Sequence, residues 1–253
     1  MNVFASVINL VAAIGLVVSP RGFHAVRPDP PFIGARGNTC DPVTGCPADV
    51  YAHTSTTLYR IDLGASPPVA NLVGQMGAQI TDITRLGDGR IFGVSFDALF
   101  QIDASTGRAQ RVGSLGVDGV NGLTSTGNRL LASSTEGVFY TVDPASGRAG
   151  RIGRFGQGIT SSGDMCFGPN GVLYLTAPHD PQRGTSDRLM RVDPATGNAV
   201  LLGNTGLDRM YGLTFTGSQM LGFTEAGIVA RIDPSTGTAT PIGTLQIPFW
   251  GSS

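Results

Sequence analysis

One segment, in five versions, constrains this chain more than anything else in it. Its clearest copy runs Ala230-Arg231-Ile232-Asp233-Pro234-Ser235-Thr236-Gly237-Thr238-Ala239-Thr240-Pro241-Ile242-Gly243. It reads as a strand, a tight turn and a second strand: proline presets φ, Asp and Ser cap the turn, and glycine takes the positive φ that closes it. The strand-ending aspartates are Asp62, Asp103, Asp143, Asp193 and Asp233, at intervals of 41, 40, 50 and 40 residues. A second marker keeps step at Val73-Gly74, Val112-Gly113, Ile152-Gly153, Leu202-Gly203 and Ile242-Gly243. A third lies between them, at Arg90 to Gly93, Arg129 to Ala132, Gly171 to Tyr174 and Gln219 to Gly222.

Each unit contains four short apolar stretches. In the second these are Ile80 to Arg85, Arg90 to Ser95, Ala98 to Asp103 and Ala109 to Ser114. They are too short for helices and are bounded by Gly, Asp, Asn or Ser. Four antiparallel strands about every 40 residues predict an all-β, five-bladed β-propeller over residues 49–253. The first unit shows only Val50 to His53, Leu58 to Asp62 and Val69 to Gly74. Its missing innermost strand is expected from Ile247 to Gly251, which resembles Arg209 to Leu213 and would close the ring and remove open sheet edges. Phe32 to Arg36 is the competing candidate.

Ahead of the repeats, Val3 to Val18 is almost wholly apolar and Ala25 offers a small residue for cleavage. Residues 1–25 read as a signal peptide or apolar leader, with an amphipathic helix or buried strand as the alternative. Residues 26–48, rich in Pro and Gly, read as a linker. Within it Cys40 and Cys46 flank a turn and are expected to pair as a disulfide in an oxidising compartment. Cys166 is expected as a small buried hydrophobe. The expected location is therefore secreted, periplasmic or in the cell envelope, with no stable membrane insertion after processing, and the expected state is a monomer.

All 17 basic residues are arginine, without a basic run, and the formal net charge is −1. That gives no reason to expect nucleic acid, and the absence of lysine excludes Schiff-base and Walker-type chemistry. The units, of the form L-Y-x-[IV]-D-P-x-T-G, resemble the short NHL-like and YVTN-like propeller repeats of secreted bacterial proteins. That resemblance spans residues 49 to 251 and concerns fold. Related propellers serve as binding modules, calcium-dependent lactonases or lyases, and their activity residues have no matched motif here.

Propeller topology assigns the loops to two faces. The Asp-Pro-x-[ST]-Gly turns lie on one face and are explained by turn formation. The other face carries the turns from second to third strand, with Asp97, Glu136 and Glu225 expected at matching positions. It also carries a ten-residue insertion, Pro178 to Asp187, that includes His179. Innermost strands start on this face at Thr81-Asp82, Asn121-Gly122, Gly163-Asp164, Tyr211-Gly212 and Trp250-Gly251. Asp82, Asn121, Asp164, Tyr211 and Trp250 are thus expected to ring the channel mouth, with His179 nearby, to meet a protein or small-molecule ligand. Tyr211 beside Trp250 suits a flat ligand or sugar. Asp82 and Asp164 with Asn121 form an oxygen set of the kind that holds Ca²⁺, and the same carboxylates suit acid–base chemistry. No Ser, His and acid trio can be assigned from spacing. The leading expectation is an exported, non-catalytic binding or scaffold propeller; the alternative is a calcium-dependent hydrolase or lyase.

Overall fold

A computed structural model describes residues 50–156, 158–179 and 186–253. The leader, the linker, the Cys40–Cys46 pair and the Phe32 to Arg36 candidate lie outside the described residues. These form twenty strands and no helix, in five antiparallel four-stranded sheets.

Blade one uses β1 (Val50–His53), β2 (Thr57–Asp62) and β3 (Val69–Gln75). Blade two is β4 (Asp82–Arg85), β5 (Ile91–Val94), β6 (Ala98–Ile102) and β7 (Ala109–Ser114). Blade three is β8 (Val120–Thr126), β9 (Arg129–Ser134), β10 (Val138–Val142) and β11 (Ala149–Arg154). Blade four is β12 (Met165–Phe167), β13 (Leu173–Ala177), β14 (Arg188–Val192) and β15 (Ala199–Asn204). Blade five is β16 (Met210–Thr216), β17 (Gln219–Thr224), β18 (Ile228–Ile232) and β19 (Ala239–Thr244). The final strand, β20 (Gly251–Ser252), pairs antiparallel with β1 and becomes the innermost strand of blade one; it starts at the last residue of the expected Ile247 to Gly251 stretch. Ser253 adds two backbone bonds to Tyr51, each 2.8 Å. Innermost strands β4, β8, β12, β16 and β20 touch in sequence, and β20 touches β4, so the ring is closed.

The core follows the ring. Its five apolar clusters each join two neighbouring blades. Second strands such as Ile91–Val94 and Leu173–Ala177 are buried at every position, because blades cover both faces of the sheet. They therefore read as continuous apolar runs, whereas outer strands such as β7 and β11 are largely exposed.

The sequence markers prove to be contacts. The glycine of each Val-Gly or Leu-Gly pair packs against the hairpin turn of the next blade. A Cβ at Gly74 would overlap the carbonyl oxygen of Thr106; Gly113 meets Ser146, Gly153 meets Thr196 and Gly203 meets Thr236 in the same way. At the fifth junction Gly243 meets Pro67 and Pro68 of the divergent first-blade turn. Asp103, Asp143, Asp193 and Asp233 shape the opposing turns, each accepting from the backbone N–H two residues on. Gly107, Gly147, Gly197 and Gly237 close them with φ between 76° and 82°. Backbone bonds repeat beside these locks: Ala109 N–H donates to Met76 O, Ala149 to Leu115, Ala199 to Phe155 and Ala239 to Thr205. The period of the sequence is thus the period of one interlocking joint.

Candidate functional site

The innermost strands place their first residues in two layers. In each matched pair the first residue lines one cavity of about 250 Å³ on the face that carries the second-to-third turns: Thr81, Asn121, Gly163, Tyr211 and Trp250. Phe96, Thr135, Ser162 and Glu225 complete its wall. Asn121 and Tyr211 reach the wall because β8 and β16 bulge there, with register shifts between Val120 and Gly122 and between Met210 and Gly212. A bulged residue leaves the ladder and its side chain is re-aimed. Two hollows on the opposite face, around Asp143 and Asp193, are lined by equivalent turn residues and recur with the repeat.

The second residue of each pair forms the layer beneath: Asp82, Gly122, Asp164, Gly212 and Gly251. Near the axis of a five-bladed ring there is space for two side chains at this level. A Cβ at Gly122 would overlap Ser133 Oγ, at Gly212 it would press on Phe223 and Ser252, and at Gly251 it would overlap the Asp82 carboxyl and the His53 ring. Asp82 and Asp164 are 0% exposed and do not line the cavity. All four of their oxygens accept backbone N–H groups. Asp82 takes Ile83 at 2.8 Å and Leu123 at 2.6 Å. Asp164 takes Met165 at 2.6 Å and Leu213 at 2.5 Å, with Ser252 Oγ at 3.4 Å. Each carboxyl therefore ties its own strand to the innermost strand of the next blade. Burial holds both well above the usual carboxylate range; for Asp82 the charge of Asp164 adds to this, and the two side chains share a hydrogen bond. Both carboxyls are therefore harder to ionise in the ring than in water. Cys166 is buried in β12, and burial, followed by the charges of Asp164 and Asp82, pushes its thiol up. Among the described residues no group of three or more His, Cys, Asp and Glu side chains is placed to hold a metal ion.

His53, next to Gly251 in this layer, is fully buried. Its Nδ1 donates to Thr54 O at 2.7 Å, so the proton sits on Nδ1 and Nε2 presents a lone pair, which has no partner. Burial lowers its pKa from 6.5 to about 4. The sign follows directly: the unfolded chain takes up a proton as pH falls through 6.5, while the folded ring refuses it until about 4. Stability is therefore lost across that window, by up to about 3 kcal/mol. Unfolding free energies of the wild type and His53→Gln, measured by urea titration, should change relative to each other by about that amount between pH 7.5 and pH 4, the wild type losing more. A gap that stays constant with pH would refute this assignment.

The remaining expected site residues are divided. His179 is exposed just after β13 and does not line the cavity. The far end of the insertion does reach the mouth: Asp187 accepts from Ser162 Oγ at 2.6 Å and from Met210 N–H at 2.8 Å, and burial raises its pKa. The three turn acids do not share a position. In the three-residue links Glu225 is first, Glu136 second and Asp97 third, and of these acids Glu225 lines the cavity. It pairs with Arg209 at 2.5 Å, an arginine held at φ 53°. Phe96, Thr135 and Ser162 were not anticipated as wall residues; Ser162 sits beside the innermost position Gly163, and Thr135 and Phe96 are the first and second residues of second-to-third links, a signal that needs register to be read.

No family model and no curated protein matches the chain. It is similar in fold to solved structures. One is the computationally designed Ika8 protein, at 13% identity and TM-score 0.38, covering 85% of this chain and 64% of that one. Another is U3-55K, at 9% and 0.45, covering 81% and 63%. A third is PorZ, a bacterial surface component of the type-IX secretion system of Porphyromonas gingivalis, at 16% and 0.41, covering 85% and 29%. The chain spans less than two thirds of the length of each.

Proposed function

We propose that this chain is an exported, non-catalytic propeller that binds a small ligand, or a side chain of a protein partner, at the mouth cavity. The observation that carries the reading is the convergence of all five innermost strands on one cavity, walled by Phe96, Tyr211, Trp250 and a few polar groups. Small, largely apolar hollows with a few placed polar groups are the usual form of ligand sites. The acids at hand already have structural duties: Asp82 and Asp164 hold inner strands together, Asp187 anchors the insertion and Glu225 pairs with Arg209. Export is the reading that best suits the apolar stretch from Val3 to Val18.

Trp250 is the only tryptophan, so its emission reports on the mouth. A panel of small neutral, anionic and cationic compounds should contain members that shift this emission saturably. Lactone or ester hydrolysis that requires calcium and disappears in Asp82→Asn would overturn the non-catalytic reading.

A further inference from the structure

We propose that the mouth selects a protonated amine, a primary alkylammonium group on a short apolar stem. This rests on the mouth being a binding site, and the experiment below separates the two.

Donors and acceptors around the cavity are unequally committed. Three wall groups direct an N–H or O–H bond into the protein. Thr81 Oγ donates to carbonyl oxygens of Val94 and Val120, at 3.0 and 3.2 Å. Ser162 Oγ donates to Asp187 Oδ2 at 2.6 Å. Asn121 Nδ2 donates to Ser161 O at 3.1 Å. The two hydroxyls have lone pairs left, and Asn121 keeps its carbonyl oxygen and one N–H. Asn121 Oδ1 is buried and has no partner, and a buried acceptor left without a donor is costly to the fold. The fixed side-chain N–H donors that remain in the wall are the second N–H of Asn121 and the indole N–H of Trp250, while the hydroxyls of Tyr211 and Thr135 can serve either way.

Charge and π faces agree with that count. Glu225 is the only charged residue of the wall. The charges acting on the Tyr211 hydroxyl are three acids, Glu225, Asp187 and Asp208, against the single Arg209. Phe96, Tyr211 and Trp250 come from three different blades and bring aromatic rings to the wall; ring faces attract cations in a partly desolvated site. Acceptors, a carboxylate and aromatic faces in one hollow suit a group that is all donor and positively charged. The volume of about 250 Å³ matches about eight waters, enough for an amine with a stem of a few carbons. Arg209 already places a guanidinium on Glu225 at the rim, 2.5 Å away, so a ligand amine would compete with it for that carboxylate.

The test is a titration of the full protein with n-butylammonium and with 1-butanol, followed by Trp250 emission and by calorimetry. Butylammonium should bind at least about tenfold more tightly than the alcohol, the discrimination set by charge and donors together. Raising salt should weaken the amine and leave the alcohol unaffected. Glu225→Gln should lower amine affinity by about tenfold, and Arg209→Gln, which removes the competitor, should raise it. Both changes are on the exposed rim, so melting curves should confirm an intact ring. Equal affinity for amine and alcohol, or tighter binding in Glu225→Gln, overturns the proposal while leaving a binding mouth. Saturable binding of a neutral or anionic compound with no response to the amine does the same. Silence of Trp250 and of the calorimeter toward all compounds overturns both readings.

Discussion

Gly203→Ala should be among the most damaging single-methyl additions available to this protein. Its Cβ would overlap the carbonyl oxygen of Thr236, and that oxygen cannot swing away. It belongs to a turn pinned by Thr236 N–H and Gly237 N–H, both donating to Asp233 O. The methyl must then push blades four and five apart. Overpacking of this kind costs about 3 kcal/mol, which exceeds the few tenths to 1 kcal/mol normally gained when a strand glycine becomes alanine. For a chain of this size the net loss of about 2 to 2.6 kcal/mol should lower the melting temperature by about 4 to 10 °C. Gly206→Ala is the control: it has φ of 80° but no neighbour within 4 Å, so only backbone strain of about 1 to 2 kcal/mol applies. Equal melting temperatures for the two variants would show that the joint is not tight.

Asp164→Ala should be costlier still. It strips acceptors from two buried backbone donors, Met165 and Leu213, at about 1 to 3 kcal/mol each, and opens a void beside the axis. A loss of about 4 kcal/mol or more corresponds to a fall of about 8 to 16 °C. Asp164→Asn keeps the volume but turns an amide donor toward one of those N–H groups, so it should lose less. The pH dependence distinguishes the cause. In the folded ring burial raises the pKa values of Asp82 and Asp164 above their ordinary range. Below the unfolded pKa, near 4, both states hold the protons and the pair contributes no slope. As pH rises above 4 the unfolded chain releases its protons and the folded pair does not, so stability drops until the folded pKa is passed. The variant lacks one member, and the wild-type advantage over Asp164→Asn should therefore shrink as pH rises from 4 to 8. An advantage that grows with pH would mean the pair is ionised and stabilised within the fold.

These two expectations show what could be read before the fold was seen. Strand positions, blade count and closure through the last residues were legible because a 40-residue period repeats three markers at once, and each marker is half of a contact. The ring of Asn121, Tyr211 and Trp250 at one mouth was legible because each precedes a matched residue. The depth of Asp82 and Asp164 was not. Neighbouring residues on a strand point to opposite sides, and bulges at Asn121 and Tyr211 change that alternation in two of the five strands. The pattern Asp, Gly, Asp, Gly, Gly at this level acquires meaning only when the five strands are brought to one axis. Glu136 and Asp97 were placed with Glu225 by proximity to a turn, and the register sets them one and two residues further along. His53 carries no signal in its neighbourhood: its place beside Gly251 joins residues from opposite ends of the propeller.

That last pairing also orders events in time. Blade one borrows its innermost strand from Gly251 and Ser252, about two hundred residues beyond β1. During synthesis the earliest strands would emerge first and yet complete last. Until the closing strand arrives, β1 keeps one unpaired edge, and the inner layer lacks Gly251 between Asp82 and His53. A chain of otherwise local hairpins thus makes its final step depend on its most distant contact, the kind that slows folding most. The closing strand acts as a latch on assembly, and a polypeptide interrupted anywhere before it would expose a sheet edge to its neighbours.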